Sequence, residues 1–282
     1  MLVNMTTLRR FTALARKNIG LGLALAILLA AIACVAGTDR SVPQRTAKEA
    51  SSPKTPRMCT QLAADTNRLA LPFASKWDQG KTLTVFLINP SPIVGAKVQE
   101  KALQWNQYSG VKFQFVSQRP ADIRVSFNPD GTSWSYVGTD CVTVPSDQPT
   151  MNFGWLTDTT DDGEFSRVVL HEFGHALGCI HEHQNPAAGI PWDKPKVYNY
   201  YWQKYRWSRG EVDQNLFRLY DKSITQYTAF DPNSIMLYSI PAELTTTGFS
   251  VGWNRVLSET DKEFITKVYP QATPASVPGK GP

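Results

Sequence analysis

Runs of apolar residues with a period of two predict three β-strands in the first half of the chain. They cover residues 83–88, 111–115 and 123–127, and each is rich in Val, Leu, Ile or Phe. Between the first two runs, Val94, Val98, Ala102 and Trp105 recur at helical spacing and predict an amphipathic helix. A right-handed crossover through this helix would place it on one face of a sheet.

A fourth strand and a second helix are predicted downstream. Met151, Phe153 and Trp155 fall on one side of a strand over residues 150–156. Asp161 and Glu164 then have the spacing of a helix start, and Gly178 is a typical end. The apolar positions between them form one stripe, so the second helix should pack against the same core.

The distribution of charge excludes a nucleic-acid-binding domain, although the chain of 282 residues has a formal net charge of +5. Residues 76–270 contain 18 Lys and Arg against 21 Asp and Glu, a net charge of −3. The basic excess therefore lies in the two ends of the chain. A folded nucleic-acid-binding domain would carry the positive surface itself.

The first 37 residues have the pattern of an export leader. Basic residues precede an uncharged apolar run over residues 19–37, which contains Ala31-Ile32-Ala33-Cys34. This tetrapeptide fits a cleavage site or a weak lipoprotein box, and at about 1.5 Å per residue the run could also span a bilayer. A cleaved signal peptide, a lipid anchor on Cys34 and a membrane anchor all stay open. Each of these possibilities predicts a protein that is secreted, periplasmic or anchored on the outer side of a membrane.

Composition divides the rest of the chain into three parts. Residues 38–75 are rich in Ser, Thr, Pro, Ala and basic residues and are predicted to be a linker or pro-segment. Residues 76–270 form the predicted catalytic domain, and residues 271–282 form a flexible tail. Cys59, Cys141 and Cys179 remain after the leader. Because Cys141 and Cys179 share the folded domain of an exported protein, a disulfide between them is predicted; a small buried apolar Cys179 is the alternative.

The four histidines of the chain fall between residues 171 and 183. His171 and His175 are four apart on the second predicted helix, so they lie on one face, and Glu172 follows the first of them. Gly178 can take the positive φ that turns the chain back and delivers His181 as a third ligand. This pattern predicts a catalytic Zn²⁺ site, in which three protein ligands leave one coordination position for water.

The spaced motif resembles that of the metzincin zinc peptidases, His-Glu-x-x-His-x-x-Gly-x-x-His followed by a methionine turn. Ser234-Ile235-Met236-Leu237-Tyr238 is similar to that turn. Glu182 after the third histidine, and Tyr238 two residues after Met236, resemble the astacins within this group. Leu237 and Asn185 depart from the astacin pattern, in which histidine and arginine are usual, so a divergent bacterial-type relative is expected.

The resemblance implies an α+β fold with two subdomains. A twisted mixed sheet and two helices would lie above the cleft, with an irregular lower subdomain and a C-terminal helix below it. The strand over residues 150–156 would form the rim of the cleft, where a protein or peptide substrate could pair as an antiparallel strand.

The resemblance also implies roles for single residues. Glu172 would be the general base for a zinc-activated water, and Tyr238 would stabilise the tetrahedral intermediate. Glu182 would be either a solvated charge or the partner of a processed N-terminus. Cys59 would be a linker or pairing cysteine, or a thiolate that blocks zinc, loosely similar to matrixin pro-segments. The alternative function is an exported zinc-containing binding protein without turnover, which the presence of Glu172 disfavours.

Overall fold

The computed structural model describes residues 57–62, 75–223 and 226–271. Its central feature is a six-stranded mixed sheet in the order β1-β5-β6-β4-β2-β3. The strands are β1 (Met58–Leu62), β2 (Thr82–Leu87), β3 (Lys112–Val116), β4 (Ile123–Ser126), β5 (Thr132–Tyr136) and β6 (Met151–Asn152). Only the pair of β5 and β6 is antiparallel. The other four pairs are parallel.

Two helices pack on the sheet and bury its apolar side chains. Helix α1 (Pro92–Ala102) starts at the Ser91 cap and continues as a short 3-10 helix through Gln107. Helix α2 (Asp162–Ala176) starts at Asp161, whose side chain accepts a hydrogen bond from the Glu164 amide. Phe173 of α2 meets Phe113 of β3 edge to face, with ring centroids 4.9 Å apart. These contacts fix α2 over the sheet.

The chain after α2 is mostly irregular and forms the lower subdomain. It contains α3 (Lys194–Tyr205) and α4 (Arg209–Val212), which continues as one π-helical turn to Phe217. Val197, Tyr201, Val212, Leu216 and Leu244 form a separate small apolar core there. Helix α5 (Glu259–Val268) begins at a Ser258 capping box and returns to the main core, where the Tyr269 hydroxyl donates to the Leu177 carbonyl. The predicted α+β fold with two subdomains is confirmed.

The rim of the cleft differs from the expected one. Residues 151–152 form β6 in the interior of the sheet, between β4 and β5, so the predicted strand over residues 150–156 is not the edge. The strand outside it is β5, which the apolar pattern does not reveal because its buried residues are Ser133 and Ser135. Strand β1 pairs with the outer edge of β5, although β1 lies within the predicted linker.

The expected Cys141–Cys179 disulfide is not formed. Cys59, Cys141 and Cys179 are all free and buried thiols. The charges of Arg124 and Asp122 act on the pKa of Cys141, whereas those of Asp261 and Glu182 act on the pKa of Cys179. The two thiols therefore occupy different surroundings, and each is a small buried side chain.

The predicted leader over residues 1–37, including Cys34, lies outside the described residues, as does nearly all of the predicted tail. Within the described ranges, no helix combines the length and apolar character needed to cross a membrane.

Candidate metal centre

Helix α2 carries His171 and His175 on the face that turns towards the cleft. Both side chains are buried in the middle of the molecule. Gly178 follows the helix with a φ of 100°, a conformation that glycine adopts without steric cost. This turn brings His181 back beside the first two rings. The ligand atoms of His171, His175 and His181 all lie within 4.8 Å of one another.

The geometry of the three rings fits a metal ion. The Nε2 atoms of His175 and His181 are 3.2 Å apart. Two nitrogens at about 2.0–2.1 Å from a tetrahedral zinc would be about 3.3 Å apart. The His171 Nε2 atom is buried and has no hydrogen-bond partner among the described residues. Nitrogen lone pairs that converge without donors between them are what a cation requires.

Backbone carbonyls hold two of the rings from behind. The Nδ1 atoms of His171 and His175 lie 2.8 Å from the carbonyl oxygens of Ile235 and Cys179. A carbonyl only accepts, so each Nδ1 carries the proton and each Nε2 is left with its lone pair. Burial lowers the pKa of His175 to about 4 and holds those of His171 and His181 well below the usual value. The three imidazoles are therefore neutral, as metal ligands must be.

Glu172 lies beside His171 but does not belong to the cluster of atoms formed by the three histidines. Its side chain is fully buried, and neither carboxylate oxygen has a hydrogen-bond partner among the described residues. Burial raises the pKa of Glu172 to about 8. A buried carboxyl without a partner is costly, so its position next to a cation site needs an explanation other than packing.

The turn around Met236 forms the floor beneath the histidines. A Cβ at Gly174 would collide with the Met236 sulfur, so the glycine of α2 lets the turn approach the helix closely. Asp261 of α5 fixes the turn, since its carboxylate accepts hydrogen bonds from the Ser234 hydroxyl and the Ile235 amide. The Ile235 carbonyl then supports His171. The methionine turn proposed from sequence thus connects α5 to the metal centre.

Strand β1 lies across the metal centre. The Cys59 sulfur, a His171 nitrogen and a Glu172 oxygen lie within 4.8 Å of one another. Burial and the neighbouring Glu172 carboxylate raise the pKa of the Cys59 thiol well above its usual value. The Tyr238 hydroxyl donates to the Cys59 carbonyl, and its ring packs against His181 with centroids 4.3 Å apart. A peptide segment of this chain therefore fills the position in front of the three histidines.

A buried ion pair borders the site on one side. Glu164 accepts two hydrogen bonds from Arg167, at 2.8 and 2.7 Å, and one from the Trp155 indole. The Arg167 guanidinium also lies 3.8 Å from the Cys59 sulfur and 4.3 Å from the centroid of the Trp253 ring. No sequence motif singled out Arg167 or Trp253, because their roles depend on contacts between distant segments.

Glu182 and His183, the two residues that follow His181, are both held by hydrogen bonds inside the protein. The Glu182 carboxylate accepts hydrogen bonds from the Asn185 amide and the Asp231 backbone, and burial raises the pKa of Glu182 to about 7. His183 points to the Asn215 carbonyl at 2.8 Å and is not one of the three converging ligands. The structure therefore brings together His171, His175, His181, Glu172 and Tyr238, and leaves His183 in a supporting position.

Comparison with known proteins gives one family match for this chain. The peptidase family described as Astacin matches residues 72–270. A curated relative, the probable matrix metalloproteinase 095L of invertebrate iridescent virus 3, is 31% identical over 112 residues. That match covers 34% of this chain and 31% of the viral protein, so it spans about a third of the relative.

Solved structures agree with the family match. One structure of myroilysin is 52% identical, covers 71% of this chain and 98% of its own, and has a TM-score of 0.70. A crystal structure of myroilysin is 47% identical, covers 82% and 98%, and has a TM-score of 0.59. High choriolytic enzyme 1, a hatching enzyme zinc-protease of the medaka fish Oryzias latipes, is 16% identical over 71% of this chain and 96% of its own. At a TM-score of 0.50, that last likeness concerns the fold alone.

Proposed function

The chain belongs to the astacin family of zinc metalloendopeptidases, and from this premise we propose that it hydrolyses peptide bonds of protein substrates with Glu172 as general base. The observation that carries the proposal is the convergence of His171, His175 and His181 in a buried site beside an unpartnered carboxylate. A structural zinc site would use four protein ligands and would have no need of Glu172 there.

A zinc ion held by the three histidines would lower the pKa of a bound water and act as a Lewis acid on the substrate carbonyl. The residues of the chain fix the tautomers and the positions of the histidine ligands. The carbonyls of Ile235 and Cys179 keep His171 and His175 in the tautomer that presents Nε2. The Met236 turn fixes the height of the rings. Together these contacts hold the ligands in place before a substrate arrives.

Glu172 is suited to carry the proton. A carboxyl group with a pKa near neutrality can take a proton from water and return it to the leaving amine at the same pH. Burial raises this pKa to about 8 in the covered site. Removal of β1 and the positive charge of a zinc ion would both lower it, and this would leave the carboxylate that accepts the proton.

Tyr238 is proposed to assist at the carbonyl oxygen. In this structure its hydroxyl already donates to a peptide carbonyl, that of Cys59, in front of the histidines. A substrate carbonyl at the same place would receive the same hydrogen bond, which would strengthen as negative charge develops on the oxygen.

Strand β1 is proposed to keep the enzyme latent until it is removed. It occupies the edge of β5, where a substrate strand would have to pair, and Cys59 lies against His171 and Glu172. A thiolate is also a ligand that zinc accepts. Trimming of the chain beyond Leu62 would therefore expose the site. Export through the N-terminal leader fits such a delayed activation, and it is part of the same proposal.

Latency is tested by comparing activity with the N-terminus of the protein over time. Peptidase activity is expected to rise as residues through Leu62 are lost, with the N-terminus read by mass spectrometry. Cys59→Ala should raise the activity of the untrimmed protein, whereas Thr60→Ala, one residue along the same strand, should not. Equal activity of the untrimmed and trimmed proteins would refute latency.

The peptidase itself is tested with casein or gelatin and the zinc-loaded, trimmed protein. Cleavage that stops with a chelator and returns with zinc is expected. A folded protein that holds zinc and cleaves neither substrate would favour the alternative, an exported zinc-containing binding protein without turnover.

A further inference from the structure

The third metal ligand is held differently from the other two. Backbone carbonyls support the Nδ1 atoms of His171 and His175. The side chain of Gln184 is instead the hydrogen-bond partner of the His181 ring. Because the Nε2 atom of His181 lies in the ligand cluster, 3.2 Å from His175 Nε2, its Nδ1 atom is the nitrogen that Gln184 meets. A side chain, unlike a backbone carbonyl, can be removed by substitution.

The orientation of the Gln184 carboxamide is fixed by two carbonyls. Its amide nitrogen donates to the carbonyl oxygens of Gln214 and Arg218, at 3.0 and 3.3 Å. Carbonyl oxygens only accept, so the NH₂ group must face them and Oε1 must be the atom that accepts from His181. The same Oε1 atom accepts a second hydrogen bond from the Gln61 amide nitrogen of β1, at 3.1 Å. The carboxamide can therefore not turn without losing several hydrogen bonds.

The backbone keeps Gln184 beside the ligand that it supports. Its amide donates to the His181 carbonyl at 3.0 Å, and its carbonyl accepts from the Tyr220 amide at 3.0 Å. Gln184 is 2% exposed, so water does not compete for the contact between its side chain and the His181 ring. The acceptor is thus fixed in place and buried before any metal binds.

The π-helical turn after α4 provides the anchor for this side chain. Gln214 lies in that turn and its carbonyl holds Gln184, while the Asn215 carbonyl of the same turn lies 2.8 Å from the His183 Nε2 atom. Single π-helical turns are frequent at functional sites. Here the turn holds two side chains of the segment that follows the third ligand, and it links the lower subdomain to the metal centre.

We propose that Gln184 is the positioning residue of the third metal ligand, because its Oε1 atom fixes the tautomer and the ring orientation of His181. The inference rests on the proposed function, since it takes His181 as a zinc ligand, and it adds a residue that prepares this ligand. Without the acceptor, the buried Nδ1–H group of His181 would lose its partner, and the ring could rotate or change tautomer before zinc binds. Loss of such a partner lowers metal affinity by about 10–100-fold.

The experiment measures zinc affinity in the full chain carrying Cys59→Ala, so that the thiol cannot act as a ligand. Zinc is partitioned between the protein and a chelator of known affinity. Gln184→Met keeps the length of the side chain but offers no strong acceptor, and it should weaken zinc binding about 10–100-fold. Co²⁺ bound in place of zinc should also show altered visible absorption bands, because these bands depend on the positions of the three nitrogens.

Gln61→Met is the matched control. It removes the other hydrogen bond to the same Oε1 atom and leaves the contact between Gln184 and His181 in place. Its zinc affinity and Co²⁺ bands should therefore equal those of the Cys59→Ala protein. An equal loss of affinity in both variants would mean a general loosening of the cleft and would overturn the positioning role, as would an unchanged affinity in Gln184→Met.

A second measurement needs no change at Gln184. In the zinc-loaded Cys59→Ala protein with isotope-labelled histidine, the His181 Nδ1–H proton should give a magnetic resonance signal that exchanges slowly with water, because Gln184 accepts it inside the protein. Exchange as fast as that of an exposed imidazole would overturn the proposal even if Gln184→Met did not fold.

The outcomes separate this inference from the function on which it rests. If His181→Ala keeps its zinc, the third ligand itself is wrong and the positioning role fails with it. If His181→Ala loses zinc while Gln184→Met keeps the full affinity, only the positioning role fails. If Gln184→Met loses affinity but the folded, zinc-loaded wild type cleaves no peptide, the positioning role stands and the peptidase fails.

Discussion

At the scale of single residues, the site combines polar and charged groups whose interaction energies depend on burial. The ring of Tyr238 packs against His181, and its hydroxyl reaches a peptide carbonyl in the cleft. Glu164 and Arg167 form a paired charge nearby, shielded from water by Trp155 and Trp253. In such surroundings the loss of one partner is more costly than on the surface, because the remaining group stays buried.

Replacement of Tyr238 by phenylalanine tests the role of its hydroxyl. If the hydroxyl acts on the developing oxyanion, its help is confined to the transition state, and kcat should fall on the order of 10²-fold with little change in KM or zinc content. Steady-state kinetics on the trimmed, zinc-loaded variant measures this. A kcat near that of the wild type would make Tyr238 an ordinary packing residue.

The Glu164–Arg167 pair predicts a pH dependence of stability. Burial alone would raise the pKa of Glu164, but the hydrogen bonds and charge of Arg167 outweigh it, and the pKa is lowered. A lowered pKa stabilises the fold above the unfolded value of about 4.5, and this contribution disappears as the pH falls through the folded pKa. Because Glu164 is only partly buried and solvent screens the pair, Glu164→Gln should reduce the free energy of unfolding by about 1–2 kcal/mol at neutral pH.

The control for that prediction is the same measurement in acid. In urea titrations the difference between the wild type and Glu164→Gln should shrink as the pH falls below 4.5 and disappear once the pH is below the folded pKa of Glu164. Glu243→Gln, at an exposed position, should match the wild type throughout. An undiminished difference between wild type and Glu164→Gln in acid would mean that packing, and not charge, is responsible.

At the scale of elements, α2 carries two ligands, and its two ends set where they lie. Asp161 caps its first turn, and Gly178 turns the chain at the other end so that His181 returns. Asp161→Ala should lower the free energy of unfolding by about 1 kcal/mol, because the Glu164 amide loses its acceptor. Asp161→Asn retains an acceptor and should restore most of that loss. Equal destabilisation by both replacements, in chemical denaturation, would contradict the capping role.

The elements that the sequence predicted are those with a strong apolar period. Strands β2, β3 and β4 and helices α1 and α2 follow such runs, and the ends of α2 follow from Asp161 and Gly178. Strand β5 was missed because serines, which carry no apolar signal, face inward there. The ladder hydrogen bonds that β5 makes with β1 and β6 define it as a strand instead.

At the scale of the whole molecule, the convergence of the three histidines could be predicted from their spacing, whereas the position of β1 in front of them could not. The histidines are close in sequence, so helix geometry and one glycine turn bring them together. Strand β1 meets β5 and the Tyr238 hydroxyl across long stretches of chain, and the contacts of Cys59 and Gln61 exist only in the folded molecule. Periodicity and motif spacing predict the geometry of neighbouring residues, and they carry no information on contacts between segments that are far apart in the sequence.

The central claim is that three histidines hold zinc while Glu172 moves the proton, and one variant tests it most directly. Glu172→Ala in the trimmed enzyme should keep about one zinc per chain and lose about 10²–10⁴-fold in kcat/KM, because the ligands survive and the proton carrier does not. Zinc content by elemental analysis and hydrolysis of a peptide substrate are measured on the same sample. His181→Ala is the matched comparison and should lose zinc. Loss of zinc from Glu172→Ala, or hydrolysis at the wild-type rate, would contradict the account.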